Sequence, residues 1–222
     1  HQLRMPVLGI AAPLQIKEVG ETLARGRIQR VDLGEANERA FLCWAGIGLD
    51  AEIATQIEPR PRHLKRLKTL PYIAAALTIA PEYRGVRTDL AIEGTDLHTR
   101  TLIAVASNIQ LYAAFFHIAP QAKMDDGQLD IFVFKGVGIT YALKYIVQSF
   151  GGRHLQSPDV MHALAAHMTV ETSPATAVHV DGEPFGCTPV SIGLRPRALR
   201  LLVPPNAPEM LFKSAPERWI TS

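Results

Sequence analysis

Apolar and polar positions alternate along several stretches of the chain, and this period of two is typical of half-buried β-strands. The stretch "RIQRVDLGEANERAFLCWAGIG" predicts two strands around a polar turn at residues 34–38. A hairpin is expected from "RTDLAIEG" and "LHTRTLIAVASN", joined at residues 94–96. Further strands are expected at "QLDIFVFK", "HMTVET", "TAVHVDGE", "TPVSIGLRP" and "ALRLLVP". About eight or nine strands are therefore predicted.

A helical period replaces the alternation in four places. Helices are expected at "LQIKEVGETLAR" (14–25), which stops at Gly26, at "DAEIATQIE" (50–58), in one or two pieces within 59–85, and at "ITYALKYIVQSF", which stops at Gly151 and Gly152. The order of these elements predicts a mainly-β fold. We expect one β-sandwich-like domain or curled sheet with several helices on its flanks, which is α+β overall.

Composition narrows the setting but names no partner. The 222 residues are 47% hydrophobic and 20% charged, and the net charge of +2 gives no reason to expect nucleic acid. Two cysteines are too few for a disulfide scaffold and fit a reducing cytoplasm. No apolar run is long enough to span a bilayer. The histidines have no metal-ligand spacing and are assigned no function: His117, His154, His162, His167 and His179.

Three stretches fit neither plain strand nor plain helix patterns. "AGIGLDAE" (45–52) leads a strand through two glycines into a helix, which could hold an anion or could serve tight packing alone. "KMDDGQLD" (123–130) clusters carboxylates that suit a hard cation, or that are simply solvated in a turn. "VDGE" (180–183) predicts a tight Asp-Gly hairpin turn whose tip carries Glu183.

The order of these stretches resembles one family. Read with "VDLG", "ASNI", "GRHLQSPDV" and "RPRALRLLVP", they are similar to the C-terminal part of the diacylglycerol kinase and sphingosine kinase superfamily, and the bacterial soluble lipid kinases are the nearest branch. The resemblance covers roughly residues 5–205. It implies a β-rich C-terminal lobe at 28–222, preceded at 1–27 by a connecting helix from an N-terminal lobe that holds ATP. That lobe's Gly-Gly-Asp-Gly-Thr motif is not in this sequence, so we expect the chain alone to be inactive.

The resemblance also implies roles for particular residues. Glu183 matches the general base that takes the proton of the lipid hydroxyl, and Asp181 matches a residue near the catalytic Mg²⁺ network. The loop at residues 123–130, called the acidic loop below, matches a structural Mg²⁺ site. That site would be formed by the Asp126 side chain and the backbone carbonyls of Lys123 and Gln128. The implied cofactor is Mg²⁺, with ATP as co-substrate and a lipid as acceptor.

One departure from the family pattern leaves the function open. Where many relatives have a glycine-rich run, this chain has Ala113, Ala114, Phe115 and Phe116, which reduce backbone freedom and add bulk. Either the substrate pocket is reshaped, or the chain is a non-catalytic lipid- or partner-binding lobe. A nicotinamide nucleotide kinase is a further alternative, although no acceptor signature for it is visible.

Two expectations concern partners. The basic segment "RPRHLKRLK" (60–68) is either a solvated helix face or a contact to an anionic membrane surface where the lipid substrate lies. We expect a cytoplasmic protein, and the second interpretation would place it peripherally at the inner membrane surface. Exposed strands at a sheet edge would also be compatible with a homodimer.

Overall fold

Antiparallel strands are the main secondary structure of the computed structural model, which describes residues 20, 24–57, 75, 78–112, 116–150 and 152–218. The strands within these ranges are Arg27–Ala36 (β1), Arg39–Phe41 (β2), Trp44–Gly48 (β3), Val86–Ile92 (β4), Thr95–Ser107 (β5), Leu129–Lys135 (β6), Val160–Ala165 (β7), His167–Ser173 (β8), Ala177–Val180 (β9), Glu183–Cys187 (β10), Val190–Val203 (β11) and Glu217–Arg218 (β12). The α-helices are Leu49–Ile57 (α1) and Gly138–Phe150 (α2), and short 3-10 helices lie at Arg153–Gln156 and Glu209–Leu211.

Several predicted features fall outside the described residues. They are most of the helix at 14–25 and of the connecting segment 1–27, most of the helical stretch 59–85, the basic segment 60–68, and residues 113–115 of the Ala-Ala-Phe-Phe loop.

The strands form one curled sheet. Its hydrogen-bonded order is β10-β9-β3-β5-β4-β8-β11-β1-β12, with β2 beside β1, β6 beside β5 and β7 beside β6. The long strand β5 lies where the sheet divides: its first half pairs with β4, and its second half pairs with β3 and β6. The predicted mainly-β, sandwich-like fold is therefore confirmed.

The main hydrophobic core lies between the two arms of this sheet. Ile47 and Ile131 come from the arm that contains β3 and β6, while Val170 and Ile192 come from β8 and β11 in the other arm. All four are at most 1% exposed. Each such side chain stabilises the fold by about 1.5–3 kcal/mol relative to an exposed position. This core fixes the β3 and β9 backbones that carry the candidate site.

Strand β6 shows why one stretch is apolar without alternation. Ile131 and Val133 face the core between the arms, whereas Phe132 and Phe134 face a second cluster that includes residues of α1 and α2. Because both faces of β6 are covered, "DIFVF" needs apolar residues at successive positions.

Helix α2 is confirmed within 138–150, but the side chains that marked it are mostly not the packed ones. Ala142 and Tyr145 face the core. Leu143, Ile146 and Val147, which gave the helical spacing, are 48%, 39% and 71% exposed. The apolar stripe visible in the sequence is therefore offset from the side that contacts the sheet.

Several strand predictions needed correction, and the stretch predicted as two strands at 27–48 forms three, β1, β2 and β3. "TPVSIGLRP" and "ALRLLVP" form a single strand, β11, because the sheet register shifts between the partners Leu33–Arg195 and Val31–Leu199, and the proline falls within that bulge. Strand β7, which pairs within the sheet with β6 alone, was not predicted because half-buried and exposed positions predominate along "VMHALA".

Candidate functional site

The hairpin between β9 and β10 turns at Asp181 and Gly182, as the sequence predicts. Both residues have positive φ angles, 49° and 81°, which is the signature of a type I′ turn. Glycine adopts this conformation without strain, and aspartate is among the few other residues that tolerate it. The turn places Glu183 on the first position of β10, opposite Val180.

The carboxylate of Asp181 is bonded to the neighbouring backbone. Its Oδ2 accepts a hydrogen bond from the Leu42 N–H at 2.9 Å, and its Oδ1 accepts from the N–H groups of Cys43 (2.8 Å) and Trp44 (3.1 Å). The Asp181 N–H in turn donates to the Trp44 carbonyl at 2.9 Å. Asp181 therefore fixes the hairpin tip against the segment that joins β2 to β3.

This arrangement also sets the electrostatics of Cys43. Burial is the main reason that the pKa of its thiol is raised well above the ordinary value, and the adjacent Asp181 charge raises it further. Cys43 is consequently a protonated, buried thiol and not a nucleophile.

Glu183 itself is half-buried and paired with a cation. Its Oε2 lies 2.7 Å from Arg39 Nη2, and the Glu183 and Arg39 side chains are 44% and 40% exposed. The Arg39 guanidinium also lies over the Phe185 ring, 5.8 Å from its centroid. An ion pair this exposed adds little to stability, so its main consequence is to orient a solvent-accessible carboxylate.

A polar trio with buried His179 at its centre adjoins the turn. His179 Nε2 is 3.0 Å from Asp50 Oδ2, and the Tyr112 hydroxyl donates to that same oxygen and lies 3.2 Å from His179 Nε2. The His179 and Asp50 side chains are 4% and 13% exposed. Asp50 lies in the first turn of α1 and brings its own negative charge to the helix start. The packing interpretation of the Gly46–Gly48 stretch is therefore favoured over an anion site.

The acidic loop holds the three residues predicted to bind metal. Asp126 Oδ1 accepts a hydrogen bond from the Gln128 N–H at 3.1 Å, and Lys123 lies at the start of the same loop. Burial raises the pKa of the Asp126 carboxyl, and the charges of Asp32 and Asp130 raise it further. Excess negative charge of this kind favours a bound cation.

The donor set in this loop would be sparse in carboxylates. Across the described ranges, no group of three or more His, Cys, Asp or Glu side chains is placed to hold a metal ion. The neighbouring Asp125 is bonded elsewhere, because its oxygens accept from the backbone N–H groups of Lys213 (2.5 Å) and Ser214 (2.8 Å). Asp126 with backbone carbonyls remains a donor set that fits Mg²⁺ or Ca²⁺, with water completing the shell.

Hydrogen bonds between side chains and the backbone connect the acidic loop to the hairpin tip. Buried Asp32 accepts from the Gly127 N–H at 2.7 Å. The Asn108 side-chain amide donates to the carbonyls of Asp32 (3.1 Å) and Leu42 (3.0 Å). The N–H of Leu42 reaches Asp181. Motifs separated by up to 150 residues in the sequence thus meet through one continuous network.

A family model described as the YegS C-terminal NAD kinase beta sandwich-like domain matches residues 44–203. The chain belongs to this family. The match spans β3 to β11 and so contains the Asp-Gly turn, the acidic loop and the polar trio. The family resemblance predicted from the sequence is therefore confirmed.

Named relatives of the YegS C-terminal domain agree with this assignment. An uncharacterized protein of Synechocystis is 29% identical over 203 residues, covering 89% of this chain and 46% of that protein. The diacylglycerol kinase of Bacillus subtilis is 21% identical over 197 residues, covering 88% of this chain and 64% of the relative. A crystal structure of a diacylglycerol kinase from Bacillus anthracis shares the fold, with a TM-score of 0.60 and 20% identity over 91% of this chain and 63% of that one.

The chain thus spans about half to two thirds of the length of these curated relatives, 46% and 64% in the two cases. None of the helices that the structure describes is long and apolar enough to cross a membrane.

The sequence predicted the acids of this candidate site but not the residues that contact them. Glu183 and Asp181 share one turn, and Asp126 and Gln128 are in hydrogen-bond contact within the acidic loop. Arg39 was not predicted, and His179 was assigned no function. The one available signal was the alternation His179, Asp181, Glu183, which does not reveal that the histidine faces Asp50 from 129 residues away.

Proposed function

We propose that this chain is the C-terminal lobe of an ATP-dependent lipid kinase, similar to diacylglycerol kinase, in which Glu183 is the general base. The observation that carries the proposal is the Asp181-Gly182 turn, which holds a solvent-accessible glutamate beside Arg39 in a fixed position. Relatives named diacylglycerol kinase give the acceptor class.

The proposed step needs one proton acceptor. Glu183 takes the proton of the lipid hydroxyl as that oxygen attacks the γ-phosphorus of ATP. The bond between the γ-phosphorus and the bridging oxygen breaks, and ADP leaves with the electron pair. Phosphoryl transfer depends mainly on orientation and charge neutralisation, so a well-placed carboxylate is a sufficient base.

The residues around Glu183 would keep that carboxylate in place. Asp181 accepts three backbone N–H groups with its two oxygens, and we therefore assign it a positioning role at the catalytic turn. Arg39 would orient Glu183 through its contact with Oε2.

The acidic loop is the proposed Mg²⁺ site, formed by the Asp126 carboxylate and the carbonyls of Lys123 and Gln128. When bound, Mg²⁺ would supply positive charge to the network that links this loop to Asp181. The negative charges of Asp32 and Asp130 close to Asp126 support this assignment.

The nucleotide would be held mainly by residues outside this chain. We expect an N-terminal lobe, joined through residues 1–27, to bind ATP, with 28–222 closing over the lipid. This chain alone should then have no turnover. The acceptor would be met at the cytoplasmic membrane surface, where the basic segment 60–68 favours contact with anionic lipid.

We expect Mg²⁺ to stabilise the chain through Asp126. At a Mg²⁺ concentration ten times its dissociation constant, the gain is about 1.4 kcal/mol, or roughly 3–5 °C in Tm for a chain of this size. Asp126→Asn should lose this shift, while Asp96→Asn, which changes an exposed aspartate on β5, should keep it. Thermal unfolding with MgCl₂ or EDTA measures the shift, and an equal shift in all three proteins would place the ion elsewhere.

A substrate panel tests the proposed reaction. The full-length product of the gene that encodes this chain should transfer phosphate from Mg²⁺-ATP to dispersed diacylglycerol or to a sphingosine-like base, and not to NAD. Transfer to NAD instead would make it a nicotinamide nucleotide kinase. Lipid binding without any transfer would favour the non-catalytic lobe. The first variant to make would then replace residues of the Ala113–Phe116 loop by glycine.

A further inference from the structure

The polar trio of Asp50, His179 and Tyr112 contacts the Glu183 turn through His179 Nδ1. The Gly182 N–H donates to His179 Nδ1 at 3.3 Å. Gly182 is the second central residue of the turn, directly before Glu183. The histidine therefore contacts the same turn whose next residue, Glu183, is paired with Arg39.

These contacts define the tautomer of the imidazole. Because the Gly182 N–H must meet a lone pair, Nδ1 is the acceptor and Nε2 carries the hydrogen. That hydrogen is donated to Asp50 Oδ2, 3.0 Å away. The Tyr112 hydroxyl donates to the same carboxylate oxygen, so Asp50 is held from two sides.

Gly46 gives the histidine the space it needs. Gly46 on β3 pairs directly with His179 on β9. A Cβ at position 46 would lie 2.3 Å from both His179 Nε2 and Asp50 Oδ2. Only glycine at this position lets the imidazole cross the neighbouring strand and reach α1, so the backbone is shaped around the His179–Asp50 contact.

We propose that His179 is a positioning residue for the catalytic turn: Asp50 and Tyr112 lock its Nε2–H tautomer, and its Nδ1 fixes the Gly182 amide and hence the direction of Glu183. This role rests on the proposed function of Glu183. It differs from a packing role because it depends on one acceptor atom at the δ position of the side chain.

Two matched variants separate these roles. His179→Asn keeps an acceptor at the δ position for Gly182 and loses the donor to Asp50. His179→Gln keeps a donor at the ε position and loses the δ acceptor. Both shorten or reshape the same buried side chain, so both should lower Tm by a similar amount. In the full-length protein, His179→Gln should lower kcat roughly 10- to 100-fold with little change in KM, and His179→Asn should keep kcat within about fivefold of wild type.

Nuclear magnetic resonance on this chain tests whether His179 fixes the Gly182 amide, and it needs no assay of activity. The wild-type His179 ring should show protonated Nε2 and unprotonated Nδ1. The Gly182 amide should exchange with solvent roughly five to ten times faster in His179→Gln than in wild type or His179→Asn.

An Nδ1–H tautomer, or equal Gly182 exchange in both variants, would overturn the proposal. So would equal loss of kcat in the two variants despite a transferring wild type. If instead the wild type transfers no phosphate to any acceptor, the function assigned to Glu183 fails, and the two resonance measurements still decide whether His179 fixes the turn.

Discussion

Glu183→Gln should lower kcat for phosphate transfer to lipid by roughly 10²- to 10⁴-fold, the contribution typical of a general base. The amide has nearly the shape of the carboxylate but cannot accept the hydroxyl proton. The KM values for ATP and lipid should change little, because the side chain acts on the reacting atom and not on binding. Steady-state assays of the full-length protein measure both constants.

The matched control is Glu171→Gln, which makes the same chemical change at an exposed position on β8. It should leave both constants at wild-type values. The free energy of unfolding of Glu183→Gln, measured by thermal unfolding, should stay within about 1 kcal/mol of the wild-type value, because an exposed ion pair with Arg39 contributes little to stability. A fall in kcat accompanied by a large loss of stability would assign Glu183 a structural role.

Asp181→Ala should be the most destabilising change at the site, at about 3 kcal/mol. It removes the acceptor of three backbone N–H groups, those of Leu42, Cys43 and Trp44, and it places alanine at a φ of 49°. For a chain of this length the expected fall in Tm is roughly 6–12 °C. Asp181→Asn, which keeps one side-chain oxygen and tolerates positive φ, should lose less than half as much.

The Glu93-Gly94 turn between β4 and β5 provides the control for backbone strain. Glu93 also has a positive φ, 40°, and precedes a glycine. Its side chain accepts one N–H group, that of Ala166, and is on the surface. Glu93→Ala should therefore cost about 1 kcal/mol. Chemical denaturation of the two alanine variants compares them directly, and equal losses would show that strain, not the three hydrogen bonds, explains the effect at Asp181.

The sequence predictions were accurate where the signal was local, and less accurate where the feature depends on tertiary packing. The Asp181-Gly182 turn needs positive φ at two adjacent residues, and that requirement is visible in the sequence. The helical period located helix α2 but did not identify its buried side. Ala142 and Tyr145 pack against the core, whereas the larger aliphatic residues lie on the exposed side. The length of β11 was missed because a proline within a bulge looks like the end of a strand.

The candidate site divides in the same way. Glu183 and Asp126 lie in short motifs whose residue types indicate the proposed chemistry, proton acceptance and cation binding. Arg39 and Asp50 meet the β9–β10 hairpin from 144 and 129 residues away, and no local pattern relates such positions. The glycine at position 46 is informative only after the β3–β9 register is known, because only then does its missing side chain lie over His179.

If the Asp181-Gly182 turn carries the base as proposed, the support of this turn explains why the polar groups of the site are spread over so many elements. Asp181 ties the turn to the β2–β3 segment, His179 ties it to α1 through Asp50, and Arg39 reaches it from β2. A hairpin tip alone would be mobile, and a mobile base is a weak catalyst because orientation contributes much of the rate. Together, these three contacts would hold the Glu183 carboxylate in a fixed position on a surface turn.

The most direct measurement is the single-turnover rate of phosphate transfer from labelled ATP to diacylglycerol, made with full-length wild type and Glu183→Gln under saturating Mg²⁺. A single turnover isolates the chemical step from lipid binding and product release. The proposed role of Glu183 predicts transfer by wild type and a rate at least about 100-fold lower in the variant. Equal rates in the two proteins, with both folded and both binding ATP, would contradict it.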